Sequence, residues 1–368
     1  MQIADFTLER YFARWEFAVR HVLCASDVEP YRLPELLHLA DDDSRRRWES
    51  LSLGYTESQG LPALREEIAS LYEGLTADDV LTFAGAEEAV FLAMHATLGP
   101  GDHAVVAWPA YQSLYEVARA IGADVTLVPL NPADWSLDVD AVAAAMRPTT
   151  RIIVVNSPHS PTGAQLAPEQ LSRLVSIAEL HAAWLFSDEV YRFLEHTAPA
   201  LPPAASLSPR ALSLGVMSKA FGLAGLRIGW VALRDRSLRA KLASLKDYTT
   251  ICNSAPSEVL SLVALRSRDR VLARSRGIIE KNLSVLDTFF AAHSEQLSWV
   301  RPRAGSVCFP KLAGQGIDDF AATLVQREGV LLLPASQFGY PGNHFRLGYG
   351  RSDMPQALEG LARHLRTN

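Results

Sequence analysis

Between Val216 and Trp230 the chain reads VMSKAFGLAGLRIGW, which sets Lys219 after Ser218 and before a glycine turn, with Arg227 eight positions further on. A lysine amine at such a turn can form a Schiff base with an aldehyde, and a hydroxyl and a guanidinium beside it suit a phosphate. The three side chains together select an aldehyde that carries a phosphate. Other runs offer complementary groups. LFSDEVY puts Asp188 at the end of an apolar run with Tyr191 close behind it, and TFAGAEEAVF opens a helical pattern on Gly85, Ala86 and Glu87. Glycine lets backbone amides approach an anion there, and the helix start adds its positive end. A strand-end aspartate also serves as a helix N-cap, and glycines before helices are common, so neither run decides the matter alone.

The fold must bring these residues together. Short apolar runs recur through the middle of the chain, namely HAVVAWP, DVTLVPL, RIIVVNSP, AWLFSDE, ALSLGVMS and IGWVAL. Most are separated by helical patterns, at Tyr111 to Ile121, Leu137 to Met146 and Pro168 to His181. Apolar strands alternating with helices predict an α/β fold whose mostly parallel sheet is covered on both faces. Ligands of such sheets sit beyond the strand C-terminal ends. Residues 109–111, 156–163, 188–191 and 218–219 all follow apolar runs. Past about residue 255, a long helical stretch from Ser257 to His293 leads to SVCFPKL, GVLLLPAS and HFRLGYG, the pattern of a smaller α+β domain. The first 45 or so residues show no strand alternation.

The segment around Lys219 resembles the S-K-x-x-G-L-x-G-x-R-x-G signature of the class I/II aminotransferases, fold-type I enzymes that depend on pyridoxal 5'-phosphate. The resemblance implies a large domain over residues 46–255 with a seven-stranded, mostly parallel sheet. It implies a small domain built from residues 1–45 and 256–368. It gives Lys219 the Schiff base, and gives the phosphate to Ser218, Arg227 and the Gly85-Ala86-Glu87 turn, with Glu87 serving through its backbone amide. Asp188 would keep the pyridine nitrogen protonated, since an opposite charge at hydrogen-bond distance favours the charged form. Tyr191 would contact the phenolic O3', and Tyr111, in WPAYQSLY, would stack on the ring. Tyr55 matches the tyrosine that reaches the phosphate of the neighbouring subunit, which implies a homodimer with shared sites. Arg346, in HFRLGYG, matches the arginine that holds a substrate α-carboxylate through two parallel hydrogen bonds, with Tyr31 and Asn156 as further substrate neighbours. An arginine alternating with apolar residues could instead lie on an exposed strand edge.

One position departs from the pattern. NSPHSPTG resembles N-P-x-N-P-T-G, in which the asparagine before P-T-G donates to O3', and this chain has Ser160 there. Either Ser160 makes a shorter or water-bridged contact, or His159 or Tyr191 takes over.

The expected activity is transfer of an amino group from an α-amino acid to a keto acid. The alternative is elimination, replacement or cyclisation at the amino-acid side chain, because NSPHSPTG, SKAFGLAGLRIGW and LKDYTT look similar to capreomycidine synthases. A non-catalytic, ligand-sensing pyridoxal phosphate domain is a reading of another class, and it wants a winged-helix module for which there is no room before Tyr55. Acidic residues in 24–35 and 247–256, among them Asp27, Glu29 and Asp247, hint at a basic substrate. With 368 residues, 48% hydrophobic content and a net charge of −6, the chain reads as a two-domain globular protein and not a nucleic-acid binder. Cys24, Cys252 and Cys308, odd in number and widely spaced, suit reduced thiols in a cytoplasm rather than a disulfide framework or a metal site. No apolar run is long enough for a membrane span.

Overall fold

The computed structural model describes residues 2–197 and 199–367. Helix α1 (Thr7–Trp15) and several shorter helices precede a sheet of seven strands. These are β1 (Val80–Phe83), β2 (His103–Trp108), β3 (Asp124–Pro129), β4 (Thr150–Asn156), β5 (Trp184–Asp188), β6 (Ala211–Val216) and β7 (Gly229–Ala232). Their order is β1-β7-β6-β5-β4-β2-β3, and only β7 runs against its neighbours. Every residue of β1, β6 and β7 is buried, and β4 exposes only Arg151, so both faces of the inner strands need apolar side chains. This is why those runs read as continuous rather than alternating. Helices α2 (Ala86–Thr97), α3 (Ser113–Ile121) and α4 (Pro168–Leu180) pack on the sheet.

The C-terminal part holds α5 (Ala255–Arg266), α6 (Arg268–Ala292), an antiparallel sheet β8-β10-β9 and the last helix, α7 (Met354–Thr367). The strands are β8 (Val307–Cys308), β9 (Leu333–Pro334) and β10 (Phe345–Gly348). The single helical stretch expected from Ser257 to His293 is broken at Ser267, which leaves helical geometry at φ −103°, ψ 21° and donates its hydroxyl to the Leu39 carbonyl at 2.9 Å. The acidic-then-basic run at 41–47 is a helix, Asp42–Glu49, capped by the Asp41 side chain on the Ser44 amide at 2.6 Å. No helix among the described residues is long and apolar enough to cross a membrane.

The N-terminal segment does contribute a strand. His21–Val22 pairs in parallel with Val330–Leu331, a ladder too short to show alternation in sequence. Residues 23–25 then lie on β10, where the Gly348 amide donates to the Leu23 carbonyl at 2.7 Å and a Cβ on Gly348 would collide with the Ala25 carbonyl. Glycine is required there by close backbone approach. This contact leads the chain from the small sheet toward the Lys219 turn.

Candidate active site

Lys219 follows β6 and Asp188 ends β5, so the two neighbouring parallel strands deliver an amine and a carboxylate to the same edge. The lysine Nζ lies 5.6 Å from the centre of the Tyr191 ring and donates to Ser26 Oγ at 2.8 Å. Burial pushes the Asp188 carboxyl up to about 7, opposed by the Val190 amide that it accepts at 3.1 Å and by the Lys219 charge. A carboxylate shielded to this degree gains by meeting a cationic N–H. Asn156, at the end of β4, anchors the backbone on either side: its amide donates to the Asp188 main-chain carbonyl at 2.9 Å and its oxygen accepts the Ser160 amide at 2.6 Å.

The anion cradle forms on the other side of the lysine. Gly85, at φ +95°, precedes α2 without any side-chain cap, which leaves the first amides of a twelve-residue helix free. A Cβ on Gly85 would sit 2.6 Å from Arg227 Nη2, and one on Gly229 would sit 2.8 Å from the Ala86 amide nitrogen. Both glycines are therefore required by close approach, and they hold the guanidinium against the helix start, where an anion gains from both. Glu88 steadies the turn by accepting the Ala84 amide and the Thr250 hydroxyl, the latter at 2.7 Å. The LKDYTT segment is thereby tied to the cradle.

The third wall comes from β10 and the N-terminal segment. Arg346 on β10 is 3% exposed, donates from Nε to the Cys24 carbonyl at 3.0 Å, and lies between the Phe12 and Phe338 rings at 5.6 and 5.8 Å. Among the described residues no carboxylate pairs with it. A buried guanidinium with unpaired terminal nitrogens is built to receive an anion. Tyr111 faces the same space: its hydroxyl donates to Glu9 at 2.7 Å, and burial, with Glu87 and Glu9 close by, holds its pKa well above the ordinary tyrosine value.

The structure thus gathers Lys219, Ser218, Asp188, Tyr191, Asn156, Ser160, Gly85, Ala86, Glu87, Arg227 and Tyr111 at the strand ends and sets Arg346 opposite them. Arg346 is buried rather than on an exposed edge. Tyr31 lies beside the lysine turn, its amide donating to the Gly222 carbonyl at 3.2 Å and its ring beneath Arg274 at 4.2 Å. Tyr55 is 90% exposed, and its side chain has no hydrogen-bond partner among the described residues. His159 turns to Thr162 at 2.8 Å, and burial lowers its pKa to about 4. Sequence reasoning missed Ser26, Glu9 and Gln112, whose contacts span 193, 102 and 105 residues and leave no local pattern.

Comparison with known proteins agrees with this geometry. The family model described as aminotransferase class I and II matches residues 37–363. Capreomycidine synthase of Streptomyces vinaceus is 31% identical over 100% of this chain and 94% of its own length. Arginine–pyruvate transaminase AruH of Pseudomonas aeruginosa is 31% identical over 84% of this chain and 81% of its own. The crystal structure of a PLP-dependent aminotransferase from Streptococcus suis superposes with a TM-score of 0.94 at 30% identity, covering 100% of this chain and 99% of that one. The chain belongs to the class I and II aminotransferases, and it is a pyridoxal-phosphate-dependent enzyme of fold type I.

Proposed function

We propose that this aminotransferase takes its amino group from a basic α-amino acid and that Lys219 is its catalytic lysine. The observation that carries the assignment is the placement of Lys219 and Asp188 on adjacent strand ends, opposite an unpaired Arg346. The cup fits pyridoxal 5'-phosphate: a glycine cradle that a Cβ would fill, a shielded carboxylate without a bonded cation, and an amine between them. When bound, the cofactor supplies an electron-accepting ring that stabilises negative charge on the substrate Cα.

The chain's own groups do the rest. Lys219 would hold the cofactor covalently through Nζ, and once displaced by the substrate amine that Nζ would carry the proton from the substrate Cα to the cofactor carbon it had occupied. The Asp188 carboxylate, oriented by the Val190 amide, would keep a proton on the ring nitrogen. Arg227 and the first amides of α2 would bind the phosphate, with Ser218 beside them, and the Tyr111 ring would supply a platform for the cofactor ring. Tyr191 and Ser160 serve the phenolic oxygen. Arg346 orients the substrate through its α-carboxylate.

The basic substrate is supported by the relative named arginine–pyruvate transaminase and by Glu9, which accepts the Tyr111 hydroxyl, whereas Asp27 and Glu29 are engaged by Arg351 and Ser352. Side-chain chemistry like that of capreomycidine synthase is the second reading, favoured because that relative matches the whole chain, N-terminal segment included. Incubating the enzyme with an amino-acid panel while following keto acid and ammonia separately distinguishes them. Keto acid formed from basic amino acids with stoichiometric amination of a keto-acid acceptor supports transamination, whereas ammonia or a cyclised product without it refutes transamination as the main reaction. We further assign a large domain to 46–255, a small domain to 1–45 and 256–368, a cytoplasmic location, and a homodimer to which Tyr55 reaches across. The exposed Leu53, Tyr55, Tyr248 and Ile251 support that interface. A fully active monomer in equilibrium sedimentation would rule it out.

A further inference from the structure

The helix α1 is a strap clamped at both ends of the site. Thr7 donates from its amide and its hydroxyl to Gln112 Oε1, both at 3.0 Å, and Gln112 returns a bond to the Asp5 carbonyl at 2.8 Å, fixing the strap to the large domain beside Tyr111. Thr7 Oγ1 also reaches the Gln337 carbonyl at 3.1 Å, and the Tyr11 hydroxyl reaches the Leu332 carbonyl at 3.0 Å, fixing it to the small domain. Residues three and four apart share one face of a helix, so Glu9, Phe12 and Glu16 face together. Phe12 covers the Arg346 guanidinium, its ring centre 5.6 Å away, and Glu9 lies three residues, roughly 4.5 Å of rise, before Phe12 along α1.

Two unpaired charges of opposite sign then share the space under the strap. Among the described residues Arg346 makes no ion pair, and its one hydrogen bond goes to the Cys24 carbonyl. Glu9 has one partner, the neutral Tyr111 hydroxyl, and among the described residues no cationic side chain lies within ion-pair distance of it. The cations nearby are committed elsewhere: Lys219 to Ser26, Arg227 to the cradle, and Arg351 to Asp27 at 2.9 Å. Glu87, across Tyr111 from Glu9, is also without an ion pair, and burial pushes it up to about 7. An anion site and a half-buried carboxylate without a cation fit one ligand that carries a carboxylate at one end and a positive charge at the other. Given the basic-substrate reading, we propose that Glu9 is the specificity-determining residue that receives the cationic end of the substrate side chain while Arg346 holds the α-carboxylate.

The test uses holoenzyme and two carboxylic acids that lack the α-amine and so cannot react, 5-guanidinopentanoate and its neutral isostere 5-ureidopentanoate, titrated by calorimetry. Wild type should bind the guanidino acid about ten-fold or more tighter, the scale of a charge-assisted pair. Glu9→Gln keeps an acceptor for Tyr111 and removes the charge, and should shrink the preference to within about three-fold. Glu9→Asp should retain part of it, which a merely structural role for the side chain would not produce. A wild-type preference that survives in Glu9→Gln overturns the assignment of Glu9 alone. No preference in the wild type overturns the basic-substrate reading and the assignment with it. Amination of a keto acid by neutral or acidic donors in both proteins would leave the aminotransferase standing while both of those fall.

Discussion

The cup at the strand ends and the strap across it meet at Tyr111, whose hydroxyl donates to Glu9, and they are built by different means. The cup is backbone packed on backbone: Gly229 lies against the Gly85-Ala86 turn, and β5 and β6 set Asp188 and Lys219 by register. The strap buries only Leu8 and Phe12 and is otherwise tied by single side-chain hydrogen bonds, Tyr111 to Glu9, Thr7 to Gln112 and Tyr11 to Leu332. A close-packed backbone admits one arrangement, while hydrogen bonds that each contribute about 1 kcal/mol net can be exchanged one at a time. On the proposed reading, chemistry common to many substrates belongs to the first region and recognition of one substrate to the second.

The sharpest way to break this division is to remove one group from each side. Lys219→Ala should lower turnover by several orders of magnitude, as expected when a nucleophile that also carries the proton is lost, while still retaining cofactor without a covalent bond. Borohydride reduction and peptide mapping of the wild type should label Lys219; a label on Lys246 or Lys241 would overturn the assignment. Arg346→Ala belongs to the other side and should leave cofactor content unchanged. It should weaken amino-acid binding by about 3 kcal/mol, the scale of a lost charge-assisted hydrogen bond. Cofactor loss in the purified variant would show that the two regions are not separable.

The same contrast explains what could be read from the chain. Lys219, Asp188, Arg227 and Gly85 were legible because each requirement falls within a few residues of a strand end, and local runs carry it. Arg346 was legible by resemblance, although its burial against Phe12 and Cys24 was not. Ser26 and Glu9 were illegible because a serine in CASD or a glutamate in TLER has no pattern until chain folding brings it to a partner about a hundred residues away or more. Glu87 was expected to act only through its amide; its side chain proves to be mostly buried, near Tyr111 and bonded to Ser113 at 3.2 Å.

Glu87 lies where the two regions touch, and its burial makes a signed prediction. Its folded-state pKa, about 7, stands above its usual value near 4.5, so the folded protein holds a proton that the unfolded chain releases between those values. Stability therefore falls as pH rises from about 4.5 to 7, by up to about 3 kcal/mol from this group. Thermal melts of wild type and Glu87→Gln across that window should diverge, the variant losing less. Parallel curves would mean that water or a neighbour already relieves the burial.

Ser160 is the cup's own departure, and the effect expected there is smallest. Its amide is spent on Asn156, while its hydroxyl, like that of Tyr191, makes no hydrogen bond among the described residues. His159, the other group considered for the phenolic oxygen, is turned to Thr162. Ser160 is shorter than asparagine by about one bond and its hydroxyl can rotate to another acceptor, so it stabilises a phenolate less firmly than an asparagine amide would. The phenolate then depends more on the proton of the nitrogen that links cofactor to lysine, which favours that nitrogen's charged form. Replacing Ser160 by Asn adds one donor, worth about 1 kcal/mol net, and should lower the pH midpoint of the cofactor's visible absorbance by less than about one pH unit. Spectrophotometric titration of both holoenzymes decides the matter. An equal or higher midpoint in Ser160→Asn would mean that the Tyr191 hydroxyl or an ordered water already donates to the oxygen, and that the substitution in the motif has no electrostatic consequence.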